Sequence, residues 1–151
     1  MKTLLIVFHT GGVKTAQMAE AVERGARSEP SVNVIVKRCA DAGPQDLLAA
    51  DGLILGTPEN FGYMSGMMKD FLERVFYACE GKVNGRPWAL FVGAGQDGSG
   101  AVNSVERIVT GLRLEKRADP VVVVKELTPE KLRECEELGA AFAAGLAMGV
   151  F

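Results

Sequence analysis

Five short apolar segments recur along the chain, and each has the length of a β-strand. They lie at residues 3–8, 32–37, 52–56, 88–92 and 121–124. The segments at 4–8 and 121–124 are apolar at every position instead of at alternate positions. Such a strand is covered on both faces, as in a parallel sheet between two layers of helices. The pattern therefore predicts five parallel strands in an α/β fold.

Apolar residues at helical spacing follow strands one, three, four and five. They are Met18, Val22 and Ala26; Met68, Phe71, Leu72, Val75 and Phe76; Val102, Val105, Val109 and Leu112; and Leu132, Cys135, Leu138 and Phe142. A short helix is predicted at residues 44–50, and Thr128 and Pro129 form the start of the last helix. Strand and helix alternate without a linker, which predicts right-handed crossovers, a doubly wound sheet and one domain over residues 1–151.

Composition narrows the classes of function. The 151 residues suit one core, and 17 basic against 19 acidic residues, without a basic run, argue against a nucleic-acid partner. Cys39, Cys79 and Cys135 are far apart and form no CxxC motif, so we expect buried thiols and no metal site. The apolar run at residues 4–8 is too short for a signal peptide or a membrane span. We expect a cytoplasmic protein with no membrane partner.

The loops that follow strands one, three and four are the candidates for a ligand site. In an open α/β sheet the ligand lies outside the carboxyl ends of the strands, where the strand order reverses. These loops span residues 9–15, 57–63 and 93–99. All three combine glycines with polar or aromatic residues, which is unusual for simple connections.

The first loop has the residues of a phosphate cradle at the start of a helix. Its candidate ligands are Thr10, Gly11, Gly12, Val13, Lys14 and Thr15. Backbone N–H groups and the positive end of the helix dipole attract an anion there, and Lys14 adds a charge. The alternative is a glycine turn that only leads strand one into its helix. The loop is neither a GxGxxG nor a Walker motif, which argues against dinucleotides and nucleoside triphosphates. His9, beside it, is either a structural residue, a ligand contact or a proton relay.

The other two loops have the residues of a flat pocket. Pro58, Gly62 and the aromatic Phe61 and Tyr63 can form one wall, against which a planar ring stacks. The alternative is that these aromatic residues pack in the core. The third loop contains three glycines and offers backbone amides and polar side chains to the edge of a ring. Asp97 or Ser99 can also cap the helix that follows.

One segment carries a family resemblance, which extends over nearly the whole chain. Residues 56–74 read GTPENFGYMSGMMKDFLER. This segment resembles the G-T-P-x-x-F/N-G-x-M-S-G-x-x-K-x-F-L-D/E-R stretch of the flavodoxin-like superfamily, in its FMN reductase and quinone reductase branch. The resemblance implies a three-layer α/β sandwich, with a five-stranded parallel sheet in the order 2-1-3-4-5 and helices on both faces.

The resemblance also implies residues that bind flavin mononucleotide (FMN). The turn after strand three would contact the flavin ring, and the loop after strand four would line its far side. These residues are Pro58, Glu59, Asn60, Phe61, Gly62 and Tyr63, and Gly93, Ala94, Gln96 and Gly98. In the phosphate loop, Thr10 and Thr15 match the family, whereas Gly12 and Val13 replace the usual Thr and Gly. Lys14 would compensate by its charge.

The function implied is an oxidoreductase in which NAD(P)H reduces bound FMN, and electrons pass to a quinone, a flavin or a similar small acceptor. The flavin supplies the chemistry, so no side chain is predicted to be catalytic and no metal is expected. The alternative is a flavodoxin-type electron carrier. The net charge of −2, with Lys14, Lys69 and Arg74 near the expected mouth, favours the reductase. A homodimer is compatible with the resemblance, which does not fix the number of subunits.

Overall fold

The computed structural model describes residues 1–151 and contains seven strands and five α-helices. The strands are β1 (Lys2–Phe8), β2 (Val32–Arg38), β3 (Gly52–Asn60), β4 (Tyr63–Met64), β5 (Pro87–Ala94), β6 (Glu115–Lys116) and β7 (Val121–Val124). The helices are α1 (Val13–Ala26), α2 (Pro44–Ala49), α3 (Gly66–Cys79), α4 (Ser99–Gly111) and α5 (Pro129–Met148). All five predicted strands and all five predicted helices are present.

The main sheet is parallel and has the order β2-β1-β3-β5, with β6 and β7 sharing the last edge. The predicted order is confirmed, except that two short strands occupy its fifth position. β6 pairs with the start of β5 and β7 with its end. The prediction missed β6 because Glu115 and Lys116 are exposed and carry no apolar signal. Pro120, which has no N–H to donate, lies between the two strands.

A hairpin replaces the loop predicted after strand three. β3 continues to Asn60, beyond the predicted end at Gly56, and turns back into β4. Asn60 pairs with Tyr63 across a two-residue turn, in which Phe61 and Gly62 have φ of 55° and 67°. Positive φ at both positions is typical of a type I′ turn, whose twist matches that of the two strands.

The central strands bury side chains on both faces, as their continuous apolar pattern predicts. In β1, Leu4 and Ile6 pack with α1 and α5, whereas Leu5 and Val7 pack with α2, α3 and α4. These four side chains are at most 1% exposed. None of the five helices combines the length and hydropathy that a bilayer span requires.

The three cysteines are buried free thiols, as predicted. Burial raises the pKa of Cys39 to about 12 and that of Cys135 to about 11. Burial also raises the pKa of Cys79. All three groups are therefore protonated at neutral pH and act as small core residues.

α1 and α5 pack so closely that two glycines are required between them. A Cβ atom on Gly25 would lie 1.9 Å from the Glu136 carbonyl oxygen, and one on Gly139 would lie 2.0 Å from the Val22 carbonyl oxygen. Both clashes are with backbone atoms, which cannot move aside as a flexible side chain can. Gly25 of α1 and Gly139 of α5 thus permit this close contact, because neither has a side chain.

We expect Gly25→Ala to lower the free energy of unfolding by about 1–3 kcal/mol, because the helices must separate to admit the methyl group. Urea denaturation measures this change. Gly66→Ala is the matched control, since a Cβ at Gly66 meets nothing within 4 Å. The control should stay within about 0.5 kcal/mol of the wild type. Equal stability of the two variants would contradict the close packing of α1 on α5.

Candidate functional site

The fold brings the three predicted loops together at one edge of the sheet. β1, β3 and β5 are adjacent and parallel, so their carboxyl ends emerge side by side. The backbone N–H of His9 donates to the Gly56 carbonyl, at 3.0 Å, and joins the first loop to β3. A Cβ on Gly93 would lie 2.7 Å from the Thr15 hydroxyl oxygen, which places the end of β5 against the start of α1.

The first turn of α1 is open, whereas the first turns of α3, α4 and α5 are capped by side chains. Gly12 is the N-cap residue of α1, no side chain caps it, and the first turn contains no acidic residue. Cβ atoms on Gly11 and Gly12 would meet nothing within 4 Å. α3 is capped by Ser65, α4 by Glu59 with Asp97, and α5 by Thr128. The first turn of α1 therefore keeps N–H donors and dipole charge available to an external anion.

The other residues of this loop differ in their surroundings. The backbone N–H of Gly12 donates to the Thr10 hydroxyl oxygen at 3.2 Å, which fixes the turn before α1. Val13 is 71% exposed. Thr15 is buried and faces Gly93. Thr15 therefore packs against the end of β5, whereas Gly11, Gly12 and Val13 are exposed.

The ammonium group of Lys14 is held by backbone carbonyls. It donates to the carbonyl oxygens of Ala94 at 2.6 Å, Lys125 at 2.7 Å and Val123 at 3.3 Å. Desolvation by these surroundings lowers its pKa from the ordinary value of 10.5. Lys14 joins the start of α1 to the ends of β5 and β7, a role that the sequence pattern does not reveal. The positive charge of Lys14 still raises the electrostatic potential near the first loop. The ammonium group itself is bonded to carbonyls and is not free to follow a ligand.

The hairpin presents an exposed aromatic wall. Phe61 is fully exposed at its tip, and Tyr63 is 43% exposed. Phe61 also has the left-handed backbone conformation, which costs a non-glycine residue about 1–2 kcal/mol. These two side chains are therefore not core residues, although core packing was an alternative for them. Asn60, beside the turn, is likewise exposed.

A crevice of about 500 Å³ lies between the hairpin and the loop after β5. Its lining comprises Glu59, Phe61, Gly62, Gly95, Gln96, Asp97, Ser99 and Gly100. Four of these are predicted site residues, namely Glu59, Phe61, Gly62 and Gln96. Pro58, Gly93 and Ala94 lie instead at the strand ends beside the crevice, where Pro58 pairs with Gly93. Seven of the eight lining residues are glycine or polar, which suits the polar edge of a ring.

The predicted cap of α4 is confirmed. The Asp97 carboxylate accepts hydrogen bonds from the Ser99 backbone N–H at 2.9 Å and the Ser99 hydroxyl at 2.8 Å. These bonds lower the pKa of Asp97, with the backbone bond as the larger cause. Asp97 is therefore ionised at neutral pH and places a negative charge on the rim of the crevice.

Glu59 is the side chain that joins the two walls. Its carboxylate accepts hydrogen bonds from the backbone N–H groups of Gly98 at 3.2 Å and Ala101 at 3.1 Å. The family resemblance implies Glu59 and Gly98 as flavin contacts, but it gives no sign of a bond between them. Such a bond spans 39 residues and cannot be read from local spacing.

Three buried hydroxyl groups support the hairpin from below. The Thr57 hydroxyl oxygen accepts from the Ser65 backbone N–H at 3.0 Å, and the Ser104 hydroxyl oxygen accepts from the Met64 backbone N–H at 3.0 Å. Ser65 in turn caps α3 by accepting from the Met68 backbone N–H. Neither Ser65 nor Ser104 was among the predicted site residues. The start of a helical apolar pattern after Ser65 was the available signal for its capping role.

The cations predicted near the mouth are engaged within the protein, and His9 beside the first loop is uncharged. Desolvation, and next the charge of Arg38, lower the pKa of His9 below 6.5, so His9 is neutral at pH 7. Lys69 pairs with Glu73 and Arg74 with Asp70. With Lys14 held by carbonyls, the three cations named in the sequence analysis do not form a free positive rim. Local charge therefore does not separate a reductase from an electron carrier.

A second concavity, of about 390 Å³, lies between α3 and α4. Leu72, Phe76, Tyr77 and Ile108 contribute its apolar lining. It is formed by the outer helical layer and by none of the three loops. Its lining has none of the glycine-rich backbone that surrounds the crevice at the sheet edge, and we do not assign the ligand to it.

We expect Lys14→Met to lower the free energy of unfolding of the flavin-free protein by about 1–2 kcal/mol, because the carbonyls at the ends of β5 and β7 lose their donor. Urea denaturation measures the change. Lys131→Met is the control, since Lys131 pairs only with exposed Glu134 and should contribute about 0–0.5 kcal/mol. No loss of stability in Lys14→Met would contradict the structural role. Unchanged FMN affinity would remove Lys14 from phosphate binding.

Comparison with known proteins shows what the chain resembles. Residues 37–125 match the family described as NADPH-dependent FMN reductase, a description that contains both predicted cofactors. A flavodoxin of Aquifex aeolicus is 29% identical over 99% of this chain and 90% of its own length. An NAD(P)H dehydrogenase (quinone) of Acidithiobacillus ferrooxidans is 34% identical over 61% of this chain and 56% of its own length.

Solved structures confirm the flavodoxin-like fold. A flavodoxin from the domain Archaea superposes with a TM-score of 0.84 at 23% identity, over 96% of this chain and 99% of that one. A WrbA-like flavodoxin from Agrobacterium tumefaciens superposes with a TM-score of 0.76 at 21% identity, over 98% and 99% of the two chains. At this level of identity the agreement concerns the fold alone.

Proposed function

The chain belongs to the NADPH-dependent FMN reductase family, and from this premise we propose that it binds FMN at the carboxyl end of its sheet and oxidises NAD(P)H. Electrons then pass to a quinone, a flavin or a similar small acceptor. Residues 1–151 act as one FMN-binding domain. The sixteen site residues predicted from the sequence, at positions 10–15, 58–63, 93, 94, 96 and 98, surround this site, either as direct contacts or as its support.

The observation that carries the proposal is the open N-terminus of α1 beside the crevice. FMN has a doubly charged phosphate at one end and a planar, polar-edged ring at the other. The uncapped first turn at Gly11 and Gly12 offers N–H donors and positive dipole charge to the phosphate. The crevice between the hairpin and the loop after β5 offers amides and an aromatic wall to the ring. The residues present therefore fit both ends of the cofactor.

When bound, FMN supplies the hydride and electron transfer, which no side chain of the protein can carry out. The chain's own residues bind and orient it. Thr10 and the first turn of α1 hold the phosphate, whereas Phe61 and the amides of residues 95–97 hold the ring. His9 is neutral at pH 7 and adds no positive charge. The dipole of α1 and the nearby Lys14 therefore balance the charge of the phosphate.

A flavodoxin-type electron carrier is the competing function. The Aquifex flavodoxin matches this chain over almost its full length, whereas the quinone dehydrogenase matches only part of it. Lys69 and Arg74 pair with acidic residues. Their positive charges therefore no longer argue against an electron carrier. The reductase is favoured by the family match at residues 37–125.

Steady-state oxidation of NADH and NADPH by the FMN-loaded protein separates the two functions. We expect ping-pong kinetics with a quinone or a flavin as the second substrate, because donor and acceptor use the same flavin in turn. The control is the same assay with the flavin-free protein. Failure of the FMN-loaded protein to oxidise either nucleotide with any of these acceptors would contradict the reductase and leave the carrier.

Gly12→Asp tests the phosphate site, because it should raise the stability of the flavin-free protein and lower its affinity for FMN. The new carboxylate would cap α1, because Gly12 already has the extended conformation of an N-cap residue. We expect the flavin-free protein to gain about 0.5–1 kcal/mol of stability. FMN affinity should fall by about tenfold or more, since the carboxylate occupies the donors and repels the phosphate. Riboflavin, which has no phosphate, should bind as it does to the wild type.

Gly12→Asn is the control, because it caps the helix without adding a charge. Its loss of FMN affinity should be smaller than that of Gly12→Asp. Flavin fluorescence titration gives the affinities and thermal denaturation gives the stability. If Gly12→Asp binds FMN as tightly as the wild type, the phosphate does not lie at the start of α1.

A further inference from the structure

We propose that Glu59 is a positioning residue: its carboxylate holds the hairpin and α4 together, and so sets the width of the crevice that receives the flavin ring. This inference rests on the proposed function and concerns a side chain that the family resemblance implies as a direct contact. The structure assigns it a different task, because both carboxylate oxygens are engaged by the protein.

The first support is the cap that Glu59 gives to α4. One oxygen accepts from the Gly98 N–H at 3.2 Å and the other accepts from the Ala101 N–H at 3.1 Å. The N-cap residue of α4 is Gly98, which has φ of +78° and no side chain with which to cap the helix. A residue from the opposite wall of the crevice thus provides what the helix lacks locally. The negative carboxylate at this helix start is also favoured by the helix dipole.

The second support is direct contact between the two walls. A Cβ on Gly100 would lie 1.8 Å from the Gly62 carbonyl oxygen, so the tip of the hairpin touches the first turn of α4. The Glu59 bonds and the Gly62–Gly100 contact act at separate points on the same pair of elements. Contacts at these two places restrain the distance between the walls and limit their relative motion.

These contacts also decide which helix accepts an anion. The first-turn N–H groups of α4 already donate to the carboxylates of Glu59 and Asp97. An anionic ligand is therefore repelled from α4, whereas α1 has no competing carboxylate. This difference between the two helix starts favours a cofactor with its phosphate toward α1 and its uncharged ring toward the hairpin.

The test compares Glu59→Ala and Glu59→Gln for their affinity toward FMN and riboflavin, measured by flavin fluorescence. We expect Glu59→Ala to weaken both by about tenfold, the equivalent of one charge-assisted hydrogen bond. The ratio of the two affinities should stay unchanged, because the phosphate loop is intact. Glu59→Gln keeps one acceptor oxygen and should recover part of the loss. The visible circular dichroism of the bound flavin should change in Glu59→Ala, since the ring lies between displaced walls.

Thr128→Ala is the control for stability, because it removes the N-cap of α5 and lies outside the crevice. It should lower the melting temperature without changing either affinity or the dichroism. Amide hydrogen exchange at Gly98 and Ala101 of the flavin-free protein should accelerate in Glu59→Ala alone. This measurement shows the loss of the two bonds without using the flavin.

The outcomes separate this inference from the function on which it rests. If the wild type takes up neither flavin, the proposed function is wrong and the positioning role falls with it. If the wild type binds both flavins and Glu59→Ala binds them as tightly, only the positioning role is overturned. A loss for FMN alone would also overturn it, because that result would place Glu59 at the phosphate and not at the ring.

Discussion

Burial of the central strands on both faces is the constraint from which the site follows. Leu4 to Val7 of β1 are covered by helices on either side of the sheet, and the crossover helices of a parallel sheet provide that cover. Parallel strands direct their carboxyl ends to one edge, so the loops after β1, β3 and β5 meet there. The packing of the core therefore determines where the site lies in the fold.

At that edge, helices differ in whether a side chain caps their N-terminus, and this difference determines where an anion can bind. α4 begins on the carboxylates of Glu59 and Asp97, and α3 and α5 begin on the hydroxyls of Ser65 and Thr128. α1 begins on a bare glycine. Capping residues stabilise a helix by satisfying its first N–H groups, so omitting one at α1 forgoes stability that a bound anion can restore. In the proposed function the phosphate of FMN serves as that cap.

The sequence predicted what depends on local pattern. Continuous apolar runs predicted the strands, helical spacing predicted the helices, and the segment from Gly56 to Arg74 predicted the family. It did not predict contacts between distant residues, such as Lys14 with the carbonyls at the ends of β5 and β7 or Glu59 with α4. These bonds depend on the register of elements that only the folded chain brings together. The hairpin at Phe61 was missed because its strand β4 has only two residues, too few to show an alternating pattern.

The most direct test is the set of backbone amide chemical shifts that change when FMN is added to the flavin-free protein. We expect changes concentrated in residues 10–15, 58–63 and 93–101, with the largest at the amides that start α1. Riboflavin should reproduce the changes in the second and third segments but not those at α1. No change with FMN, or changes concentrated at the groove between α3 and α4, would contradict the account.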